Sequence, residues 1–237
     1  MKKILFLIFL FGVSFQAHAY NTFHPEADEE LKQGKMWAIV EFEKKSTATK
    51  CSFRTWLDFP ADKLWHALID INQWKIIHDD YKDSRSIDKN QFELVNEKKP
   101  TNIQAFYELV GEEISPSELY RVPGKIWESY AFQRFAFPFP LKDRWVVMKV
   151  KNNENNAQKK EYRYDYEMTV GNFKSLKGYW ELLPVPENPG WIEFRGEYKA
   201  DPGISVPHFL TRSIFKSSMK NNVQDIVKVL EAQGQQK

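Results

Sequence analysis

Residues 128–147 read ESYAFQRFAFPFPLKDRWVV and join an aromatic strand, a proline turn, an Asp-Arg pair and a second strand. Five aromatic side chains fall within residues 128–139. Further along the chain, residues 201–207 (DPGISVP) precede a long amphipathic helix. Strands that curl around one long helix often leave an apolar hollow between them, because each element must bury one apolar face. The pattern therefore favours a container for an apolar molecule over an enzyme.

The C-terminal helix is predicted from Pro207 onward, since proline is favoured in the first helical turn. Apolar residues then recur at steps of four, four, three and four, which places them on one stripe of the helix. The stripe consists of Phe215, Met219, Val223, Ile226 and Leu230.

The clearest strand is residues 162–170 (YRYDYEMTV), where tyrosines alternate with charged side chains. This period of two is typical of a strand with one dry and one wet face. Short helices are predicted at residues 64–69 and through Trp74 to Ile77, where apolar residues have helical spacing. Further strands are predicted at residues 37–43, 51–59, 84–88, 91–97, 104–110, 130–137, 145–151 and 192–198. This order of elements indicates one α+β domain, with a curved antiparallel β-sheet around a long C-terminal α-helix and two short helices after the first main strand.

The N-terminal residues have the layout of a secretory signal peptide. A basic start and an apolar run lead to Ala17-His18-Ala19, so we expect residues 1–19 to be removed after Ala19. The apolar run is shorter than the about 20 residues that span a bilayer, although an uncleaved anchor is the alternative. Residues 20–36 then form a lead-in, and residues 37–233 form the ligand-binding domain. No Asn-x-Ser/Thr acceptor occurs in the sequence, which favours export to a bacterial periplasm.

Charge and cysteine content narrow the function classes. The chain has 34 Lys and Arg against 32 Asp and Glu, and Lys2 and Lys3 of the signal peptide account for the difference. A neutral mature chain gives no support for nucleic-acid binding through a bulk field. The single cysteine, Cys51, excludes an internal disulfide. It lies in an alternating strand pattern, which favours a small buried apolar residue over a reactive thiol.

Three stretches carry a resemblance to a known family. Residues 59–65 (FPADKLW) resemble the "aP-xx-vW" start of the first helix in the START, or helix-grip (SRPBCC), superfamily. Residues 138–144 (PFPLKDR) resemble its "P-lxxRD" strand opening, with the acidic and basic residues exchanged. Residues 201–210 (DPGISVPHFL) resemble the "D-p-g-g-x-iP-xwl" start of its long helix. The order and spacing of the three matches, rather than any single one, carry the resemblance.

The resemblance implies the helix-grip fold, with a tunnel between sheet and helix for a lipid, sterol, quinone or similar apolar ligand. Polyketide cyclases and coenzyme-Q-binding proteins belong to the same superfamily. It also implies transient membrane contact, and Gly203 to Phe209 are expected to form a gate. The candidate ligand-binding residues are Trp74, Tyr107, Phe132, Arg134, Trp145, Tyr164, Tyr166, Phe194, Phe209, Phe215, Met219 and Val223.

Several alternatives stay open at this point. The aromatic residues either line a cavity or fill an ordinary core. Arg134 points either into the cavity, where it needs a partner, or to water. Asp143 and Arg144 either hold a head group or steady a strand end.

No catalytic residue, metal ligand or cofactor is predicted, because the chain has no nucleophile elbow, P-loop, dinucleotide fingerprint or zinc motif. Asp79 and Asp80 are interpreted as a solvated helix end rather than a catalytic dyad. The first alternative function is a cyclase, aromatase or hydrolase that works in the same cavity, with an acid or base among the strand tyrosines, Arg134 or His78. The second is a protein-interaction module, which a solid core would favour.

Overall fold

The computed structural model describes residues 23–43, 46–112, 121–137, 142–204 and 207–234, with side chains to residue 232. The predicted signal peptide, residues 138–141 of the proline turn and residues 205–206 of the expected gate lie outside the described residues. Among the residues described, no helix is both long enough and apolar enough to cross a membrane.

Eight strands of the described chain form one antiparallel sheet in the order β1-β2-β8-β7-β6-β5-β4-β3. The strands are β1 (Trp37–Phe42), β2 (Thr49–Leu57), β3 (Tyr81–Ile87), β4 (Ile126–Phe135), β5 (Arg144–Asn153), β6 (Tyr162–Gly171), β7 (Ser175–Pro184) and β8 (Ile192–Asp201). The last strand therefore pairs with β2, which joins the two ends of the chain within one curved sheet.

Six α-helices in the described ranges accompany the sheet. They are α1 (Asp28–Lys32), α2 (Ala61–Ile69), α3 (Trp74–Ile77), α4 (Lys89–Lys98), α5 (Ile103–Val110) and α6 (His208–Gly234). The α+β class and the two short helices after the first main strand, α2 and α3, are confirmed. The chain has the helix-grip fold.

The long helix α6 buries the predicted stripe. Its apolar members, Phe215 to Leu230, are all buried against the rest of the chain. The contacts of α6 are with the edge strand β1 and with the short helices α2 and α3. The helix is therefore supported at the borders of the sheet, and its apolar stripe bridges the middle.

The two faces of the sheet have different coverings. On β4, Gln133 and Phe135 face α6, so by strand alternation Phe132 and Arg134 face the opposite, outer side. The outer side at β3, β4 and β5 is covered by α4 and α5, which bury a second apolar cluster around Phe106 and Phe132. Both faces of these strands are thus buried around Phe132 and Val147, whereas Glu128 and Lys149 remain exposed.

Two strand predictions were wrong, because residues 91–97 and 104–110 are helices. Helix α4 begins with a capping box in which the Asp88 side chain accepts from the backbone N–H of Gln91, and Gln91 reaches back to Asp88. Helix α5 begins at Asn102, whose side chain accepts from the backbone N–H of Ala105. Short apolar runs fit either period, and here the caps determine the outcome.

Strand β7 was not predicted, although it lies near the centre of the sheet. Its apolar alternation is interrupted by Gly178, a position where a side chain would collide with the neighbouring strand. A Cβ at Gly178 would lie 2.5 Å from the carbonyl oxygen of Glu197, and one at Gly196 would lie 2.5 Å from Cδ1 of Trp180. Both positions need glycine because neighbouring groups cross the inner face there.

Buried ionic networks fasten the ends of the sheet. Arg54 and Glu193, both fully buried on the outer face, form a bidentate pair with two distances of 2.9 Å. Arg54 also donates to Asp28 at 2.7 Å and to the His24 carbonyl, which holds the N-terminal segment on the sheet. Charge-assisted bidentate bonds of this kind are among the stronger hydrogen bonds in proteins.

The second network surrounds Glu154, which follows β5 and is 1% exposed. Its carboxylate accepts from the indole nitrogens of Trp65 and Trp127, at 2.8 and 3.2 Å, and from Arg121. These donors outweigh the cost of burial and lower the pKa of Glu154 to about 2. Helix α2 is thereby tied to the β4–β5 end of the sheet.

We expect the substitution Glu154→Gln to destabilise the fold by about 3 kcal/mol at pH 7, since a carboxylate with a lowered pKa stabilises the folded state above its unfolded pKa. That contribution is lost as pH falls from about 4.5 toward 2, so the difference between the two proteins should halve near pH 3. Urea denaturation at both pH values measures it. The exposed Glu128→Gln, which loses a surface pair with Lys149, is the control and should change stability by less than about 0.5 kcal/mol. An equal effect of the two substitutions would contradict the buried network.

Candidate ligand-binding cavity

A cavity of about 540 Å³ lies between the inner face of the sheet and α6. Such a volume falls within the range of small-molecule sites in proteins. Its wall is mostly aromatic and aliphatic, with contributions from β2 to β8 and from residues 213–226 of α6. The cavity lies where α6, which rests on the borders of the sheet, crosses the middle of the sheet.

The mouth and the inner end of the cavity can be told apart by exposure. Ser213 and Ser217 of α6 line the cavity and are exposed, while Ala136 and Phe137 opposite them are half-buried. Ile226, further along α6, is 1% exposed, and Trp74 is 2% exposed. The opening therefore lies along the first turns of α6, and the cavity becomes dry toward α3.

An aromatic stack forms the inner end. The indole rings of Trp74 and Trp180 are stacked, with centroids 5.1 Å apart and 13° between their planes. Tyr164 stacks on the other side of Trp180 at 5.8 Å, and Phe194 meets its edge at 5.7 Å. Because Gly196 has no side chain, the Trp180 ring can lie flat across the sheet at this point. Rigid rings give a preformed wall that loses little rotamer entropy when a ligand binds.

Four tyrosines bring hydroxyl groups to the otherwise apolar wall: Tyr81, Tyr164, Tyr166 and Tyr198. Burial raises the pKa of each of them well above the ordinary value. They are therefore neutral at physiological pH and act as hydrogen-bonding groups rather than as bases. The same burial raises the pKa of the Cys51 thiol, beside Tyr198, to about 12.

Several polar atoms of the wall have no hydrogen-bond partner. The indole nitrogens of Trp74 and Trp180 and the side-chain oxygen of Asn222 are buried and unpartnered. Buried polar groups are normally paired, because an unmade bond costs about 1–3 kcal/mol. The side chains of Trp180 and Asn222 lie beside the hydroxyls of Tyr166 and Tyr81, and all three atoms are shielded even from the empty cavity.

Asp80 supplies the single carboxyl group among the described lining residues. Burial first, and then the neighbouring charge of Asp225, raise its pKa. Asp225 of α6 lies 3.2 Å from Nδ1 of the buried His78, whose pKa is lowered mainly by burial. Of the two residues interpreted as a solvated helix end, Asp79 is exposed, whereas Asp80 is half-buried and lines the cavity.

The structure places seven of the twelve predicted ligand-binding residues on the cavity wall. They are Trp74, Tyr164, Tyr166, Phe194, Phe215, Met219 and Val223. Their role as ligand contacts remains a prediction.

The other five lie elsewhere. Phe132 and Trp145 belong to the cluster on the outer face, and Tyr107 lies on α5 beside it. Arg134 is also on the outer face, where its guanidinium donates to Asp143 at 2.7 Å. Phe209 is 75% exposed on the first turn of α6. Phe132, Arg134 and Trp145 were assigned to the wrong face of the sheet. Apolar residues occur on both faces of β4 and β5, so the sequence does not show which face points inward.

Asp143 and Arg144 diverge instead of pairing. Asp143 binds Arg134 and Lys82 on the outer side, whereas Arg144 donates to the Pro202 carbonyl at 3.1 Å. Arg144 thereby joins the start of β5 to the segment before α6. Burial lowers its pKa.

Several wall residues were not predicted. Trp180 and Leu176 lie on the unpredicted strand β7, and Phe173 lies just before it. Phe53 and Tyr198 could have been found, because each lies on a predicted strand in phase with a neighbouring wall position. The missing signal was the sheet order, which alone brings β2, β8 and β7 together.

Comparison with known proteins supports the fold. No family model matches the sequence, and no curated protein matches it. A fragment of a STAR-related lipid transfer protein from Xanthomonas axonopodis has a similar structure, with 15% identity and a TM-score of 0.56 over 83% of this chain and 93% of that solved chain. Human STARD10 is similar at 16% identity and a TM-score of 0.54, over 84% of this chain and 72% of the other. At these identities the likeness shows a shared START-type, helix-grip fold.

The dryness of the inner face gives a first test. With a pKa of about 12, the Cys51 thiol holds at pH 8 about a thousandth of the thiolate of an ordinary cysteine, whose pKa is near 9.0. We therefore expect an aromatic disulfide reagent at pH 8 to react with the native protein at least a hundredfold more slowly than with the urea-unfolded chain. Absorbance at fixed reagent concentration follows both reactions. Equal rates would mean that water reaches the sheet beneath Tyr198.

Proposed function

We propose that this protein, which has the START-type fold, binds and carries an apolar small molecule in the cavity beneath α6. The observation that carries the proposal is a preformed space of about 540 Å³ with an apolar wall. Each methylene group transferred from water into such a wall gains about 0.8 kcal/mol, so even a modest hydrocarbon offsets the entropy lost on binding. The lipid transfer named for the structurally similar Xanthomonas protein agrees with this role.

The ligand classes that we propose are a lipid, a sterol, a quinone or a similar apolar molecule. We further propose that the protein acts outside the bacterial cytoplasm, in the periplasm, after removal of residues 1–19. The support for export is the three-part pattern of those residues in the sequence. A carrier in this compartment would shield an apolar molecule from the water between two membranes.

For the alternative function, catalysis in the same cavity, the structure offers few groups that could act as an acid or a base. The strand tyrosines are poor bases because their pKa values are raised, and Arg134 faces the outer side. Asp80, with a raised pKa and a position on the wall, is the group on which cyclase or hydrolase chemistry in this cavity would depend. The interaction-module alternative required a solid core, and the open cavity removes that argument.

The first turn of α6 offers a surface for contact with a membrane. Phe209 is 75% exposed and Leu210 is 37% exposed, one helical turn before Ser213 at the cavity mouth. Arg212 and Lys216, also exposed, follow on the same helix. Exposed aromatic and basic side chains are typical of helices that lie in the interface of an anionic membrane. A ligand could then pass between the bilayer and the cavity over a short distance.

Blocking the cavity tests the binding proposal. We expect Met219→Trp to weaken binding of the neutral fluorophore N-phenyl-1-naphthylamine at least tenfold, because the larger ring occupies the space of the ligand. Lys220→Trp adds the same ring to the exposed side of α6 and should bind like the wild type. Fluorescence titration gives the affinities, and circular dichroism confirms that both variants are folded.

Solvent extraction and mass spectrometry of the wild-type protein should also release an apolar compound. Failure of the wild type to bind the fluorophore, together with an empty extract, would refute the proposal.

A substitution on α6 tests the membrane surface. Phe209→Ser should lower binding to phosphatidylcholine–phosphatidylglycerol vesicles at least threefold in co-sedimentation, since it removes an exposed aromatic anchor. Ile76→Ser is the matched control, because Ile76 is 79% exposed but lies on α3. The end of α3 lies near Asp225, in the later part of α6 and away from Phe209. If the two variants bind vesicles equally well, the first turn of α6 is not the contact.

A further inference from the structure

Arg144 differs from the other arginines of the described chain. Each of those has a partner, which is the Phe42 ring for Arg212 and a carboxylate for Arg54, Arg85, Arg121, Arg134, Arg163 and Arg195. Arg144 is half-buried, yet it forms one hydrogen bond, from Nε to the Pro202 carbonyl, and no ion pair within the described ranges. Its two Nη groups are not among the buried atoms that lack a partner, so they are open to solvent. The guanidinium is therefore a cation without a counter-ion.

Strand register places Arg144 at the mouth of the cavity. As the first residue of β5 it pairs with Phe135 of β4, which lines the cavity. Residues directly opposite each other in an antiparallel pair project from the same face of the sheet, so Arg144 projects from the inner face. At this end of β4 the rings of Phe137 and Phe173 form an apolar rim, with centroids 6.3 Å apart. The guanidinium thus borders the apolar space without belonging to its lining.

A second cation lies at the same corner of the chain. Lys174 is in the turn between β6 and β7, where its backbone N–H donates to the Asp201 carbonyl at 2.8 Å. The stem of its side chain runs beside Gly203, since a Cβ at that glycine would lie 3.3 Å from Cγ of Lys174. Arg144 is bonded to Pro202, the preceding residue, so the two cations flank one short segment. The Lys174 side chain is exposed and, like Arg144, has no ion-pair partner among the residues described.

The acidic residues nearby are engaged elsewhere. The carboxylate of Asp201 accepts from the backbone N–H of Gly203 at 2.9 Å and from the Thr47 hydroxyl. Asp143, which precedes Arg144 in the chain, binds two other cations on the outer side of the sheet. Neither carboxylate neutralises the corner.

The carboxyl group on the cavity wall is separated from Arg144 by one strand. Asp80 precedes β3, and β4 lies between β3 and β5. Two strand spacings correspond to about 10 Å. Burial also raises the pKa of Asp80, which disfavours its charged form. An anion beside Arg144 therefore meets two cations at close range and one more distant acidic group.

We infer that the mouth of the cavity holds the anionic head group, a carboxylate or a phosphate, of an amphiphile whose apolar part lies in the cavity. Arg144 is the main contact, because the two free Nη groups of a planar guanidinium can bind two oxygens of such a group at once. Lys174 adds a second positive charge. No lysine, arginine or histidine occurs among the described lining residues, so these cations are at the mouth rather than inside. The inference rests on the proposed function and adds the charge and the orientation of the ligand.

Matched probes test the charge. Dodecanoate and dodecanamide have the same chain and the same number of non-hydrogen atoms, but only dodecanoate is charged at pH 7.5. Each competes with N-phenyl-1-naphthylamine for the full-length protein, below its aggregation concentration. We expect dodecanoate to compete at a concentration at least about fivefold lower, because a hydrogen bond to an ionised acceptor is the stronger one. Dodecyl phosphate is the third probe: competition stronger than that of dodecanoate assigns a phosphate, and weaker competition assigns a carboxylate. Equal or stronger competition by dodecanamide than by both anions would overturn the inference.

Variants locate the head group. Arg144→Gln removes the charge but keeps an amide that can donate to the Pro202 carbonyl. It should abolish the preference for the anion, while the affinities for dodecanamide and the fluorophore change by less than about twofold. Arg144→Lys keeps the charge without the planar fork and should retain part of the preference. Lys177→Gln removes an exposed cation from the outer face and is the control, which should leave the preference unchanged.

Lys174→Gln provides a second test, because its side chain is exposed and its loss is expected to leave the fold intact. It should lower the preference for the anion at least about twofold, and it decides the question if circular dichroism shows that Arg144→Gln is unfolded. An unchanged preference in the folded Arg144→Gln, or in Lys174→Gln when that variant decides, would overturn the inference, as would an equal loss in Lys177→Gln. If the wild-type protein binds neither fluorophore nor probe, the proposed function itself fails, which is a different outcome.

Discussion

The support of α6 at the borders of the sheet is the constraint on which the cavity depends. The main contacts of α6 are with β1, α2 and α3, and over the middle of the sheet its side chains line the cavity. Its stripe from Phe215 to Ile226 lines the cavity opposite the aromatic side chains of the inner face, and Phe215 meets Tyr198 with 6.0 Å between the ring centroids. A closer approach of α6 to the sheet would require the stacked rings of Trp74 and Trp180 to move, because both line the space between the helix and the sheet. The short helices therefore act as spacers.

The two faces of the sheet carry different kinds of polar groups. Its outer face carries paired charges, such as Arg54 with Glu193 and Arg134 with Asp143. Its inner face carries neutral hydroxyl, indole and amide groups whose protons do not dissociate at physiological pH. Strand alternation places the two sets on opposite sides of the same backbone. The ionic interactions that hold the sheet together therefore lie outside the cavity. The cavity wall is mostly apolar but carries neutral groups that can form hydrogen bonds.

The elements that the sequence predicted well are those with one dry face. Helix α6 and strand β6 each have a single apolar stripe, so their period was visible, and the tyrosines Tyr164 and Tyr166 line the cavity as predicted. Val170, beyond an irregularity in the pairing with β5, belongs to the outer cluster instead. Strands β4 and β5 are dry on both faces, because α4 and α5 cover the outer side, and no alternation remains to show which aromatic residues face inward. This is why Phe132 and Trp145 were placed in the cavity. Helices α4 and α5 are short enough that their caps, rather than their apolar period, distinguish them from strands. The missing strand β7 contains Gly178, which breaks the apolar pattern where the inner face is most crowded.

The location of the stabilising interactions follows from the presence of the cavity. An empty space loses packing contacts, and each buried polar atom without a partner costs about 1–3 kcal/mol, so the wall around Asn222 and Trp74 is a weak region of the fold. The networks of Arg54 and Glu154 lie away from this wall, on the outer face and at the end of β5. Such networks can hold the rim of the sheet in place while the centre remains unfilled. A ligand that fills the space would then restore packing contacts in this region, and binding would raise the stability of the whole domain by mass action.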